Sequence, residues 1–331
     1  MLALLPLLSQ SSFTGEWGDI ISAVNGANAT WVAGPVDRSA EDFAAMCGTF
    51  LPGHPQYTAP ANLPEYTVAP GAAALFDDAI DWRAKAPQCA SLAAVRDQSA
   101  CGSCWAFAST EVFGDRRCIA TGKDVEFSAQ DTAGCCTGFS CGMSHGCKGG
   151  QPSAALGWLA KNGVVTGGDY GDIGGGKSCQ PYLLAPCSHH TTGSKYQPCG
   201  APLEIHCNAT CSEPGYAVAY ADDKVSGGTS AICAHAEQML AALQHGPISA
   251  GFSVYDDFPT YKSGVYAKTK GAKELGGHAV EIIGYGTDAT AGDYWLVKNS
   301  WNEEWGDAGF FKIKRGSNEC GIEQNAASID F

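Results

Sequence analysis

An α+β chain made of two unlike halves is what the sequence predicts, on three observations. Helix-like segments come first, in a cysteine-rich middle stretch, and strand-like segments dominate after about Gly215. The 331 residues are 45% hydrophobic and 16% charged, a globular composition with core for one large or two ordinary domains. No internal repeat suggests a solenoid.

The first helix begins at Ser103, a candidate N-cap, places Trp105, Ala108 and Val112 near one face, and stops before Gly122. A second spans Ser153 to Lys161, ended by Asn162-Gly163. A third runs from Cys233 to Gln244 and stops at Gly246-Pro247. Ala279 to Tyr285, Tyr294 to Lys298 and Phe310 to Lys314 are rich in aromatic and β-branched residues and predict strands.

Three regions differ in character. Met1 to Leu8 is apolar but short and without a basic leader, the remnant of a signal peptide over residues 1–10. Residues 11–72 contain a single cysteine, Cys47, and end in a proline-studded run, as a small segment followed by a linker would. Residues 73–331 hold the remaining cysteines and the bulk of the core. No run of about 20 apolar residues occurs, so no membrane span is expected. The 34 acidic against 20 basic side chains give a net charge of −14, which argues against nucleic acid as a partner.

Sixteen cysteines point to disulfides and an oxidising compartment. Cys101 and Cys104 form a CxxC, but no second pair follows at zinc-finger spacing, so no metal site and no cofactor are expected. The triplets Asn28-Ala29-Thr30 and Asn208-Ala209-Thr210 are glycosylation sequons, meaningful in a secreted chain.

The most informative string is Gln98-Ser99-Ala100-Cys101-Gly102-Ser103-Cys104-Trp105. A thiol is a useful nucleophile only as thiolate, and a helix N-terminus with an adjacent imidazolium lowers its pKa. Cys104 sits where the helix starts. The string resembles the signature of the papain-like cysteine peptidases, whose histidine and asparagine follow in that order about 130–150 residues later. Both are present: His278 in Gly276-Gly277-His278-Ala279-Val280, and Asn299 in Lys298-Asn299-Ser300-Trp301, at spacings of 174 and 195 residues. The longer spacing requires an insertion.

The resemblance implies a two-domain fold, a helical left domain and an antiparallel β-barrel-like right domain with the cleft between. It implies that Cys104 attacks the scissile carbonyl, that His278 protonates the leaving amine and that Asn299 orients the imidazole. Gln98 and the Cys104 N–H would stabilise the oxyanion, and Trp301 would shield the site from water. The family usually has Gly where this chain has Ser99. Gly149, Gly150, Pro152 and Ala279 would line the substrate cleft.

The chain is further similar to the cathepsin B group of this family. Asn28-Ala29-Thr30-Trp31 and Met46-Cys47-Gly48-Thr49-Phe50 resemble its propeptide, and Pro186-Cys187-Ser188-His189-His190, closing at Cys199, its occluding loop, here about 187–199. In that group the paired histidines hold a peptide's C-terminal carboxylate, so dipeptides are removed, and an open loop gives endopeptidase activity. Closure would need protonated His189 against Asp97, with Lys195 and Glu304 as a second latch. Asn325 replaces the acidic residue that accepts arginine in the main pocket, so apolar side chains should be preferred there.

Family-style pairing joins Cys89 to Cys118, Cys101 to Cys147, Cys135 to Cys207, Cys136 to Cys141, Cys179 to Cys211 and Cys187 to Cys199. Cys104 stays free and Cys47, Cys233 and Cys320 are unassigned. The expected partners are peptide and protein substrates, the chain's own propeptide as inhibitor and cystatin-like inhibitors, around a monomer in a lysosome or vacuole, or secreted. The rival readings are an inactive secreted binding protein on the same fold, against which Cys104 speaks, and a transamidase, against which the propeptide and loop speak.

Overall fold

The computed structural model describes residues 17–27, 29–59, 63–189, 193–201 and 204–331. In chain order these form α1 (Gly18–Gly26), β1 (Trp31–Ala33), α2 (Ala40–Met46), β2 (Ile80–Asp81) and the short α3 (Trp82–Lys85). Next come α4 (Cys104–Thr121), α5 (Ala129–Cys135), α6 (Pro152–Asn162) and two short paired strands, β3 (Cys187–Ser188) and β4 (Gln197–Pro198). Then follow α7 (Tyr220–Asp223), β5 (Thr229–Cys233), α8 (Ala236–Leu243) and β6 (Ile248–Tyr255). The chain finishes with β7 (Tyr261–Tyr266), β8 (Glu274–Asp288), β9 (Gly292–Lys298), β10 (Phe310–Lys314) and β11 (Ala326–Asp330).

The helical half is organised by α4. Its apolar face, led by Trp105, Ala108 and Val112, packs into a core with Phe127, Leu156 and Leu159. Its polar side is buried as well, because it faces the sheet: Glu111 and Asp115 are covered by β8 and β9. Gly122 ends the helix at φ +71°, a left-handed conformation that glycine adopts without steric cost.

The other half is a nine-stranded, largely antiparallel sheet in the order β1-β7-β10-β9-β8-β6-β11-β5, with β2 on β8. The expected barrel does not close. Both ends of the path are instead extended by the N-terminal segment: β1 pairs antiparallel with β7, and at β5 the Tyr66 N–H donates to Ile232 O while the Ile232 N–H donates to Pro64 O. Those contacts cover edge hydrogen-bonding groups of β7 and β5. The expected third helix is also shorter at its start. Cys233 pairs with Ala326 in β5, and α8 begins only at Ala236, after the Gln238 side chain accepts from Ala234 N–H.

The N-terminal segment is packed rather than loose. Trp17, Ile21 and Val24 are buried, Trp31 stacks on Tyr261, and Phe43 lies 5.3 Å from Trp301 between ring centroids. Ser39 and Asp42 form a reciprocal capping box at the start of α2. Six disulfides join Cys89–Cys118, Cys101–Cys147, Cys135–Cys207, Cys136–Cys141, Cys179–Cys211 and Cys187–Cys199. Cys47, Cys104, Cys233 and Cys320 are free thiols. No helix among the described residues is long and apolar enough to cross a membrane.

Candidate active site

Three elements meet at one buried point. α4 presents Cys104 as its first residue, β8 presents His278, and the residue after β9 is Asn299. The register is fixed by Glu281 opposite Lys298, which are cross-strand partners as well as an ion pair. His278 Nε2 lies 2.8 Å from Asn299 Oδ1, and both side chains are buried. The Trp301 ring covers the imidazole at 4.8 Å between centroids.

The opposite ring nitrogen, Nδ1, makes no hydrogen bond of regular geometry among the described residues. His278 nevertheless acts on Cys104 at close range. Burial pushes the Cys104 thiol up, but the His278 charge and side-chain contact, Thr49 and the Ala279 N–H together bring it below its ordinary value. Ala279 is thus buried beside the sulfur and serves it through its backbone.

The Gln98 side chain reaches the same place. Its Nε2 donates to Met46 O at 2.9 Å and Cys101 O at 2.6 Å, and its Oε1 accepts from Ser300 Oγ at 2.8 Å. Ser99 has φ +57°, which explains the glycine usual at this position: the left-handed region costs other residues about 1–2 kcal/mol. A hydrogen bond of 2.6 Å from Ser99 N–H to Asp97 holds that turn.

The cleft is occupied by residues 46–50. Thr49 N–H donates to Gly277 O, Phe50 N–H to Gly150 O and Gly150 N–H to Gly48 O, all at 2.8–2.9 Å. Thr49 Oγ1 lies 3.2 Å from Cys104 Sγ. Gly48 allows the approach, since a Cβ there would fall 1.8 Å from Gly102 O. Gly149 packs beneath the Phe50 ring, and Phe50 and Leu51 share a pocket with Pro152, Gly251 and Asn325. Thr49 was not legible as a contact of Cys104; its place in the Cys47-Gly48-Thr49 string was the only signal.

His189 is buried, with Nε2 2.7 Å from Asp97 Oδ1. Asp97 stays below the usual carboxylate range despite burial, through the charge and bond of His189 and bonds from Asn302 and Ser99. Arg38 Nη1 lies 3.2 Å from His189 Nδ1. A guanidinium only donates, so Nδ1 accepts in this contact. The His189–Asp97 contact expected from the sequence is thus present, with Arg38 on the far side of the ring. The second latch also differs: Lys195 Nζ pairs with Glu303, while Glu304 accepts from Ser194 Oγ and the Lys195 N–H. His190 and Asn28 lie outside the described residues; Asn208 is exposed.

Below the site, Lys298 is buried against Glu281, Asp115 and Glu111. This one ammonium joins the elements that carry Cys104, His278 and Asn299, and no sequence motif announced it.

A family model described as "Papain family cysteine protease" matches residues 76–329. "Cathepsin B-like cysteine proteinase 5" of Caenorhabditis elegans is 42% identical over 93% of this chain and 88% of its own. The "Gut-specific cysteine proteinase" of the same organism is 40% identical over 97% and 93%. Among solved structures, "proCathepsin B S9 from Trypanosoma congolense" is 27% identical with a TM-score of 0.75, covering 96% of this chain and 98% of that one.

Proposed function

The chain belongs to the papain family of cysteine proteases, and from that premise we propose that Cys104 is its nucleophile, His278 its general acid–base and Asn299 the residue that orients the imidazole. The observation that carries the reading is the Cys104 thiol held below its ordinary value beside a histidine fixed by Asn299. The thiolate adds to the scissile carbonyl carbon while Gln98 Nε2 and the Cys104 N–H stabilise the oxyanion. His278 gives its proton to the leaving amine, then takes one from the water that releases the acyl group. Covalent labelling of Cys104 by an epoxide thiol-trap, lost on prior removal of His278, tests the assignment.

We read residues 11–72 as the inhibitory propeptide and its linker. Residues 46–50 fill the cleft, and Met46 O already takes the Gln98 donor. The substrates are peptides and proteins; cystatin-like inhibitors, a monomeric state and a lysosomal, vacuolar or secreted location complete the reading. The six disulfides support the oxidising route.

The 187–199 loop is proposed to make the enzyme a dipeptidyl carboxypeptidase, with His189 and His190 receiving the substrate carboxylate once Arg38 has left. Imidazoles that are cationic below about pH 6.5 hold a carboxylate better than neutral ones. On one peptide with a free or an amidated C-terminus, dipeptide release should dominate near about pH 5 and lose ground toward about pH 7.5. His190→Ala should lower dipeptide release and spare internal cleavage; a ratio flat in pH and unchanged by the substitution removes this reading.

Asn325 offers no carboxylate to the pocket it shares with Pro152. Substrates with Phe or Leu two positions before the cut should therefore outcompete those with Arg. Asn325→Glu should raise kcat/KM for the Arg substrate by about tenfold or more, the worth of a charge-assisted bond of about 1.5–3 kcal/mol. An unmodified enzyme that already prefers Arg contradicts it.

A further inference from the structure

We propose that Tyr182 is a positioning residue of the oxyanion site, its hydroxyl bridging the segment that carries Gln98 to the residue that opens the Cys104 helix. The inference rests on the reading of Gln98 as an oxyanion donor.

Tyr182 Oη lies 2.9 Å from the Gln98 backbone oxygen and 3.0 Å from Ser103 Oγ. The carbonyl can only accept, so the phenol donates its one proton there and Ser103 Oγ donates to the phenol. Burial pushes the Tyr182 phenol well above its usual value, so the donor persists at every working pH. The ring is buried and meets Phe107 of α4 edge-on at 4.8 Å, which fixes where the hydroxyl sits.

Ser103 forgoes the partner its position would ordinarily offer. A serine before a helix ordinarily caps a free N–H of the first turn, yet Ser103 makes no capping bond. Its hydroxyl is directed to Tyr182 instead. The two oxyanion donors, Gln98 Nε2 and the Cys104 N–H, thus hang from residues tied to the same phenol. Their separation has to be right within about 0.5 Å, and a shift of about 1 Å costs about a hundredfold.

The test uses full chains of wild type, Tyr182→Phe, Gln98→Ala and the double variant, each processed by added wild-type enzyme that is then removed. Tyr182→Phe should lower kcat on a peptide amide about tenfold with KM unchanged, and weaken a peptide aldehyde by a similar factor. The aldehyde adds the Cys104 sulfur to its carbonyl carbon, and its oxygen uses the same donors. Alkylation of Cys104 by iodoacetamide, which needs no oxyanion, should keep its rate and pH profile. In the Gln98→Ala background, Tyr182→Phe should change kcat less than twofold. Full additivity, an unchanged kcat in the single variant, or alkylation falling in parallel overturns the proposal. A Gln98→Ala enzyme of normal kcat removes the Gln98 reading itself, and the proposal with it. Should Tyr182→Phe fail to fold, Ser103→Ala takes its place, with the same pattern at about threefold and the same overturning outcomes.

Discussion

Cys104→Ala is expected to reduce peptide hydrolysis by about 10⁴-fold or more while the chain folds normally. On the proposed mechanism the sulfur is the attacking atom, so no step remains for the rest of the site to accelerate except through binding. Folding should survive because Cys104 is outside all six disulfides and lies in a core with Cys101, Trp105 and Ala279 that tolerates loss of one atom. Turnover of a peptide substrate, together with the thermal midpoint and the yield of folded chain, checks the result. An alanine variant that still hydrolyses at a rate within tenfold of wild type would place the nucleophile elsewhere.

Lys298→Met should produce the largest loss of stability, about 3–5 kcal/mol near neutral pH. Glu111, Asp115 and Glu281 would be left buried without the ammonium all three contact, with Arg96 still acting on Glu111 alone. Even with Lys298 present, burial pushes Glu111 up to about 7 and Glu281 well above the carboxylate range. A carboxyl whose pKa is raised on folding contributes most below its unfolded value of about 4.5 and loses that contribution as pH rises through the folded value. The defect should therefore shrink on acidification toward pH 4.5 and grow up to and beyond neutrality. Urea unfolding of the Cys104→Ala chain with and without Lys298→Met, at acid and neutral pH, measures it without self-digestion. A defect independent of pH would mean that the carboxylates were never the cause.

The candidate nucleophile and its partners were legible because each sits in a short local string, and the strands that carry His278 and lead into Asn299 have aromatic and β-branched runs that read the same way in isolation. Phe310–Lys314 was read from such a run with its observed bounds. The helix expected from Cys233 was misread because a local pattern cannot show that Cys233 is taken by a strand partner at Ala326. Ser103 stands at the predicted cap position but not in the predicted role, since Tyr182 competes for its hydroxyl.

By itself the sequence determined the family, the α+β class, the cysteine-rich two-half layout and the residues worth placing at the site. Tertiary structure alone decided that Thr49 lies against Cys104, that Tyr182 bonds to Gln98 and that Arg38 donates to His189, contacts across 55, 84 and 151 residues. It also decided that the sheet stays open, its edges covered by the N-terminal segment. The division is physical. Periodicity and capping are set by neighbours a few residues apart, whereas a hydrogen-bond donor chooses its distant acceptor only after packing has fixed what lies within 3 Å.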